Sequence, residues 1–139
     1  MENYIDPTAE IFRALKDLPQ DHPIDMLNLV SLHDHAKYED GGKATGAEAY
    51  AAYGKLSGPI FAGVGGEIIW SGDPQIMIIG PQKELWDIAF IARYPSPKAF
   101  LEMVFNPEYQ AIVYHRQAAV KNSRLIRNKA RDSGAGFGE

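Results

Sequence analysis

Two adjacent side chains near the end of the chain, His115 and Arg116, are of types that could perform acid–base and anion-binding chemistry. Arg116 falls on the same apolar helical stripe as Tyr109, where a charge is costly unless it is paired or reaches solvent. Its guanidinium could bind the carboxylate or enolate of a ligand, or pair with an Asp or Glu across the fold or a dimer. His115 is the natural general base near neutral pH, oriented by Glu108 seven residues earlier, or else a surface histidine without a role.

Polar residues within apolar segments form a second group of candidates. Asn28 interrupts an apolar stretch, and a buried amide there needs partners from the neighbouring backbone or from a ligand. Arg93 and Arg124 lie on predicted strands, where they could bind an anion in a cleft or be paired or solvated. The aromatic residues that could line an apolar pocket, or that form ordinary core, are Tyr50, Tyr53, Trp70, Trp86 and, on the helical stripe, Tyr109.

A short histidine motif raises the question of a metal site. His33 and His35 fall on the same side of an extended chain, and Glu39 could supply a third ligand. Zinc motifs of higher specificity use two histidines at i and i+4 on a helix, or paired cysteines. We therefore interpret these histidines as solvent-facing loop residues, and expect neither a metal nor another cofactor.

Composition limits the class of protein. With 139 residues, 45% of them hydrophobic, the chain has the size of one domain with a proper core. The net charge of -4 argues against nucleic-acid binding, and no apolar run has the roughly 18 residues of a membrane span. Cysteine is absent. A reducing compartment, most simply the cytoplasm, is the expected location.

Three pairs of a capping residue and a proline predict helix starts: Asp6-Pro7, Ser96-Pro97 and Asn106-Pro107. The first should open a helix from about Pro7 to Asp17, with Ile11, Phe12 and Leu15 on its apolar face. Between 45 and 57 another helix is predicted, starting at a Thr45/Glu48 capping box. Strands are predicted at 24–32, 67–71, 75–80, 86–94 and 123–128, with a loop at 33–43.

These elements predict an α+β fold with the order β-α-β-β-α-β, a ferredoxin-like antiparallel sheet with helices on one face and an extra N-terminal helix. Residues 1–23 would form the helical arm, 24–131 the ferredoxin-like domain and 132–139 a disordered tail. Because the strands carry apolar residues on both faces, the bare face of the sheet should be covered by a second copy, giving a homodimer.

The run from Tyr94 to Ile126, with PSPKAF, NPEYQ, HRQAA and SRLI in that order, resembles the domain-of-unknown-function family numbered 1330. Met26-Leu27-Asn28-Leu29 and the helix with Tyr50 and Tyr53 extend the resemblance to roughly Ile24 to Arg131. It implies the dimeric α/β-barrel superfamily, whose members include cofactor-independent monooxygenases and other small-molecule enzymes. It implies no particular reaction.

Three functional hypotheses follow. The first is a dimeric small-molecule protein, either a binding protein or a cofactor-independent enzyme acting on a small carboxylate or enolate, with His115, Arg116 and Asn28 at the polar end of an apolar cleft. The second, by resemblance, is a quinone-forming or haem-degrading monooxygenase that uses Asn28, Trp86 and His115. The third is a non-enzymatic module for ligand sensing or dimerisation.

Overall fold

The computed structural model describes residues 2–132, 134, 136 and 137, which form four strands and five helices. In chain order these are α1 (Ala9–Leu15), β1 (Ile24–Leu32), α2 (Gly46–Gly63), β2 (Glu67–Gly72), β3 (Ile88–Tyr94), α3 (Pro97–Val104), α4 (Pro107–Ile112), α5 (Tyr114–Ala119) and β4 (Val120–Asn128).

The four strands form one antiparallel sheet in the order β2-β3-β1-β4. The two central strands, β1 and β3, are far apart in sequence and are joined through α2 and β2, which is the split arrangement of a ferredoxin-like sheet. The predicted fold class is confirmed.

The two faces of the sheet differ in what covers them. On one face Ile24 and Met26 of β1 lie opposite Tyr94 and Ala92 of β3 and form the core together with Phe100 of α3. On the other face Leu27 lies opposite Ile91 of β3 and Ile126 of β4, and Ile91 also lies opposite Trp70 of β2. Trp70 and Ile126 are about half exposed, at 51% and 50%. We call this second surface the open face.

Side-chain caps start the central helices where the sequence predicts them. The Ser96 hydroxyl accepts a hydrogen bond from the Ala99 amide at 3.1 Å, and the Asn106 side chain accepts one from the Glu108 amide at 2.8 Å. At Thr45 both hydrogen bonds of the predicted capping box are present. These caps fix where α2, α3 and α4 begin, and so fix which residues face the sheet.

The predicted start of the first helix is wrong. Thr8, and not Asp6, caps α1, because the Thr8 hydroxyl accepts the Ile11 amide at 3.2 Å and the helix begins at Ala9. Asp6 instead points to Arg116 and Gln117, far along the chain.

The predicted strand at 75–80 is also wrong, since residues 73–87 contain no strand. Strand β2 is an edge strand that pairs on one side only, with β3, and residues 73–87 add no further strand to its outer edge. Its Ile76, Ile78 and Ile79 are exposed to 76%, 84% and 92%. Consequently β3 begins at Ile88 and not at the predicted Trp86.

Three other boundaries differ. Helix α2 continues past Ser57 and through Pro59 to Gly63. The last predicted helix divides at Val113 into α4 and α5, and β4 starts already at Val120, ahead of the strand predicted at 123–128.

The N-terminal helix is docked on the fold. Phe12 packs on Phe105 with ring centroids 5.2 Å apart, and Phe12 and Leu15 contact the core, whereas Ile11 is 53% exposed. The tail predicted at 132–139 falls partly outside the described residues. None of the described helices has both the length and the apolar character needed to cross a membrane.

Candidate functional site

A large cavity lies between the core-facing side of the sheet and the helices, with a volume of about 960 Å³. This volume is at the upper end of the range for sites that hold small molecules. Aromatic side chains form much of its wall, including Tyr50, Tyr53, Phe61, Phe90, Tyr94 and Tyr109. The cavity therefore offers an apolar, aromatic surface to a ligand.

Two tyrosine hydroxyls meet in this cavity. The hydroxyl oxygens of Tyr53 on α2 and Tyr109 on α4 are 2.9 Å apart, and their rings meet edge to face at 6.1 Å. Tyr109 reaches this position because Asn106 and Pro107 start α4 just before it. Burial is the main cause that raises the pKa of Tyr109, and the neighbouring Tyr53 raises it further. Burial also raises the pKa of Tyr50 to about 12. Tyr50 and Tyr109 therefore keep their protons at neutral pH and act as hydrogen-bond donors.

Alkaline titration should separate the tyrosines into two groups. Unfolded tyrosines titrate near pH 10, whereas burial raises the pKa of Tyr50, Tyr94 and Tyr109. We expect tyrosinate absorbance to develop only in part at pH 11, with the remainder appearing on unfolding. The free energy of unfolding should be insensitive to these groups below pH 10. It should fall as the pH rises through 10 towards 12, by about 1.4 kcal/mol per pH unit for each group.

The measurement is absorbance near 295 nm, with far-UV circular dichroism as the control for folding. A single titration step of all seven tyrosines near pH 10 in the folded chain would show that Tyr50, Tyr94 and Tyr109 are not buried.

Arg116 on α5 brings a positive charge to the cavity wall, and its side chain is only 15% exposed. The guanidinium donates to the carbonyl oxygen of Ile5 at 2.6 Å and, over a longer distance of 3.4 Å, to the Ser123 hydroxyl. A carboxylate oxygen of Asp6 lies 3.7 Å away, and Asp6 is 47% exposed. The partners of Arg116 therefore come mainly from the N-terminal segment.

Asn28 lies at the middle of β1 and lines the same cavity. Its side-chain nitrogen donates to the Met26 carbonyl oxygen at 3.0 Å, which is the backbone satisfaction expected for an amide in this strand. No described residue donates to the Asn28 amide oxygen, so the acceptor side of the amide is available to a ligand.

His115 is adjacent to Arg116 in sequence but lies outside the cavity lining. Its Nδ1 is 2.7 Å from the Tyr38 hydroxyl, and its ring stacks on Tyr114 at 4.1 Å. Successive helical residues project about 100° apart, so the two side chains reach different sides of α5. Its orienting partner is thus Tyr38 and not the predicted Glu108. The loop that carries Tyr38 is tied to α5 by the Lys37 amide, which donates to the Ala118 carbonyl at 2.8 Å.

The other predicted residues divide between the cavity and the rest of the fold. Arg124 borders the cavity on β4, but it lies opposite Leu29, so its side chain projects to the open-face side, with the guanidinium 5.0 Å from the ring of Tyr4 and 5.3 Å from the ring of Trp86. Trp86 itself is outside the cavity lining. Arg93 lies on the open face, where it forms two hydrogen bonds to the Asp25 carboxylate at 2.7 and 3.0 Å.

The structure thus brings five of the eight predicted residues to one cavity: Asn28, Tyr53, Tyr109, Arg116 and Arg124. Sequence reasoning missed the N-terminal segment, of which Tyr4, Ile5 and Asp6 also line the cavity. No local pattern could have identified it, since Ile5 meets a partner 111 residues away. Within the described part of the chain, no three His, Asp or Glu side chains lie close enough to hold a metal ion.

Comparisons with known proteins agree with this fold. A family model described as domain of unknown function (DUF1330) matches residues 42–128. A solved structure of RPA0582, a protein of unknown function from Rhodopseudomonas palustris, is 52% identical, with a TM-score of 0.91 over 95% of this chain and 100% of that chain. No curated protein matches the sequence.

More distant solved structures are similar in fold alone. SnoaB, a cofactor-independent oxygenase from Streptomyces nogalater, is 14% identical, with a TM-score of 0.53 over 83% of this chain and 99% of that chain. A dimeric protein of unknown function with a ferredoxin-like fold from Bacteroides fragilis is also 14% identical, with a TM-score of 0.50 over 78% of this chain and 96% of that chain.

Proposed function

Since this chain belongs to the family of the domain of unknown function DUF1330, whose description names no activity, we propose a function from the cavity itself: the protein binds a small carboxylate or enolate there. The observation that carries the proposal is the guanidinium of Arg116, 15% exposed, in the wall of an otherwise largely aromatic cavity. A ligand with an apolar body and one anionic group matches both features.

The electrostatic support lies in the surroundings of Arg116. An arginine shielded from water attracts an anion more strongly than one at the surface, and its planar fork can hold a carboxylate through two hydrogen bonds. The hydroxyls of Tyr53 and Tyr109 are hydrogen-bonded to each other, and the one that accepts in this pair can donate its own proton to an oxyanion. The same donors would stabilise an enolate that forms during a reaction.

The support is stronger for binding than for proton abstraction. Among the described residues that line the cavity, Asp6 is the carboxylate and there is no histidine, since His115 contacts Tyr38 elsewhere. The monooxygenase hypothesis has less support. It uses Asn28, Trp86 and His115 together, and only Asn28 of these three lines the cavity. The likeness to SnoaB concerns the fold.

A matched pair of probes tests the proposal: 2-naphthoate, an aromatic carboxylate, and 2-naphthamide, a neutral compound of similar shape. We expect 2-naphthoate to bind and 2-naphthamide to bind at least tenfold more weakly, because only the carboxylate can pair with Arg116. At 100 times its Kd a ligand adds about 2.7 kcal/mol to the free energy of unfolding. Thermal shift and calorimetric titration measure both compounds. Equal affinity for the two would refute the anion site.

We further propose that the protein is a homodimer whose copies meet through their open faces. The open face carries the apolar row of Leu27, Ile91 and Ile126. Contiguous apolar side chains on a sheet face are commonly covered by another protein surface, and a second copy of the chain can cover this one. Half-exposed Trp70 lies beside it. The Bacteroides fragilis relative in fold is itself described as dimeric.

Light scattering should give a mass near twice 15.4 kDa at micromolar concentration. Ile126→Glu places a charge at the β4 end of the apolar row and should shift the mass towards the monomer, whereas Lys98→Glu on α3 should not. A wild-type protein that is monomeric at these concentrations would contradict the proposal.

A further inference from the structure

Residues 4–6, which we call the strap, cross the C-terminal part of the fold before α1 begins. The Tyr4 amide donates to the Asn122 side-chain oxygen at 3.0 Å, and the Ser123 hydroxyl donates to the Tyr4 carbonyl at 2.7 Å. Arg116 donates to the Ile5 carbonyl, and the Gln117 side chain donates to Asp6 at 3.3 Å. The strap is thus held from β4 and α5 and lines the cavity along the way.

The seating of the strap is incomplete in two places. Asp6 approaches Arg116 only to 3.7 Å and is 47% exposed, so this ion pair is loose and largely hydrated. At the other end Asn122 is 3% exposed, and its side-chain nitrogen has no hydrogen-bond partner among the described residues. A buried amide left without an acceptor makes the closed position less favourable. Opening of the strap exchanges its four hydrogen bonds for bonds to water and gives the Asn122 side-chain nitrogen access to water, while α1 remains docked through Phe12 and Leu15.

Arg116 already holds an anion from its own chain. Of its five N–H donors, those on the two terminal nitrogens face Ile5, Ser123 and Asp6. The Ile5 carbonyl and the Asp6 carboxylate both face Nη1, whereas the Ser123 hydroxyl faces Nη2. A ligand carboxylate that takes both terminal nitrogens therefore displaces the strap from Nη1 and the Ser123 hydroxyl from Nη2. The strap and an anionic ligand consequently compete for the same guanidinium.

We propose that the strap is an autoinhibitory gate, in which Asp6 occupies the anion subsite at Arg116 until an anionic ligand displaces it and releases residues 4–6. This inference rests on the proposed function, because it takes the same cavity and the same arginine as the binding site. It assigns to Asp6 a role in setting affinity and selectivity for anions. A neutral ligand of the same shape gains nothing from displacing the strap.

The test combines binding with amide hydrogen exchange on the full-length chain. Asp6→Asn removes the competing charge, and Glu10→Gln, an exposed residue in the first turn of α1, removes the same charge away from Arg116. Asp6→Asn should bind 2-naphthoate about fivefold more tightly than wild type, the upper end for an exposed ion pair. Glu10→Gln should leave its affinity unchanged, and neither variant should alter the affinity for 2-naphthamide.

Hydrogen exchange reports the strap directly through the Tyr4 amide. Saturating 2-naphthoate should accelerate exchange at Tyr4 at least tenfold, while amides in β1 stay protected. Unchanged or slower exchange at Tyr4 with the ligand bound would overturn the gate and leave the anion site standing, as would equal naphthoate affinity in Asp6→Asn and wild type.

Failure of the proposed function gives a different pattern. If neither wild type nor Asp6→Asn prefers 2-naphthoate over 2-naphthamide, the anion site is refuted and the gate with it. Arg116→Met without any ligand tests the hold on the strap independently of ligand binding. The substitution should accelerate hydrogen exchange at the Tyr4 amide alone. The absence of acceleration would overturn the role of Arg116 in holding the strap.

Discussion

Arg116→Met should bind 2-naphthoate at least 100-fold more weakly than wild type while remaining folded. A bidentate, charge-assisted pair with a partly desolvated guanidinium contributes on the order of 3 kcal/mol, and each 1.4 kcal/mol is a factor of ten in affinity. Methionine keeps the apolar length of the side chain, so the affinity for neutral 2-naphthamide should change little. Calorimetric titration of both probes measures the difference.

The cost of this substitution in stability separates two roles of Arg116. A buried carboxylate left unpaired would lower the free energy of unfolding by about 3 kcal/mol or more. Asp6, however, is 47% exposed and can be hydrated when its partner is removed, so we expect a loss of about 1 kcal/mol. Arg13→Met on α1 is the matched control for the lost charge. A severe loss of stability together with unchanged affinity for 2-naphthoate would make Arg116 a structural residue.

Deleting residues 2–20 should lower the free energy of unfolding by about 3 kcal/mol, since burial of Phe12 and Leu15 is lost and full burial is worth roughly 1.5 to 3 kcal/mol for each such side chain. Both contact the core, and Phe12 stacks on Phe105. For a chain of this size the melting temperature should fall by about 10 °C. Differential scanning calorimetry measures the change.

The same deletion should also weaken binding of 2-naphthamide, because the arm supplies part of the cavity wall, including Phe12 and Leu15. Glu10→Gln, an exposed substitution on the same helix, is the control and should leave both quantities unchanged. An unaltered melting temperature after deletion of the arm would mean that α1 is not bound to the fold in solution.

The starts of α2, α3 and α4 were predictable from the sequence because their causes are local, and the order of the elements indicated the fold class. Ser96, Asn106 and Thr45 each cap an amide two or three residues away, so the capping residue and its partner are close together in the sequence. The family resemblance read from the segments around these helices is confirmed by the match over residues 42–128. The strand wrongly predicted at 75–80 shows the limit: apolar residues are a local signal, whereas a strand forms only when its backbone pairs with another strand, and residues 75–80 do not pair with the free edge of β2.

Membership of the cavity was predictable only in part. Tyr53 and Tyr109 lie on helix faces that the sequence periodicity directs towards the sheet, and Asn28 alternates with the core residues of β1. Arg93 and Trp86 are of equally suitable types, but strand register sends Arg93 to the open face, where it meets Asp25, 68 residues away in the chain. Register depends on pairing between distant strands and not on residue type.

The sequence by itself determined the starts of α2, α3 and α4, the ferredoxin-like order and an arginine on an apolar helical stripe that had to have a partner. Only the tertiary structure decided what those partners are: the strap for Arg116, and Tyr38 for His115. These contacts join residues 111 and 77 positions apart. A pattern that extends over one or two helical turns carries no information about which distant segment arrives beside it, because that is set by the packing of the whole sheet and its helices.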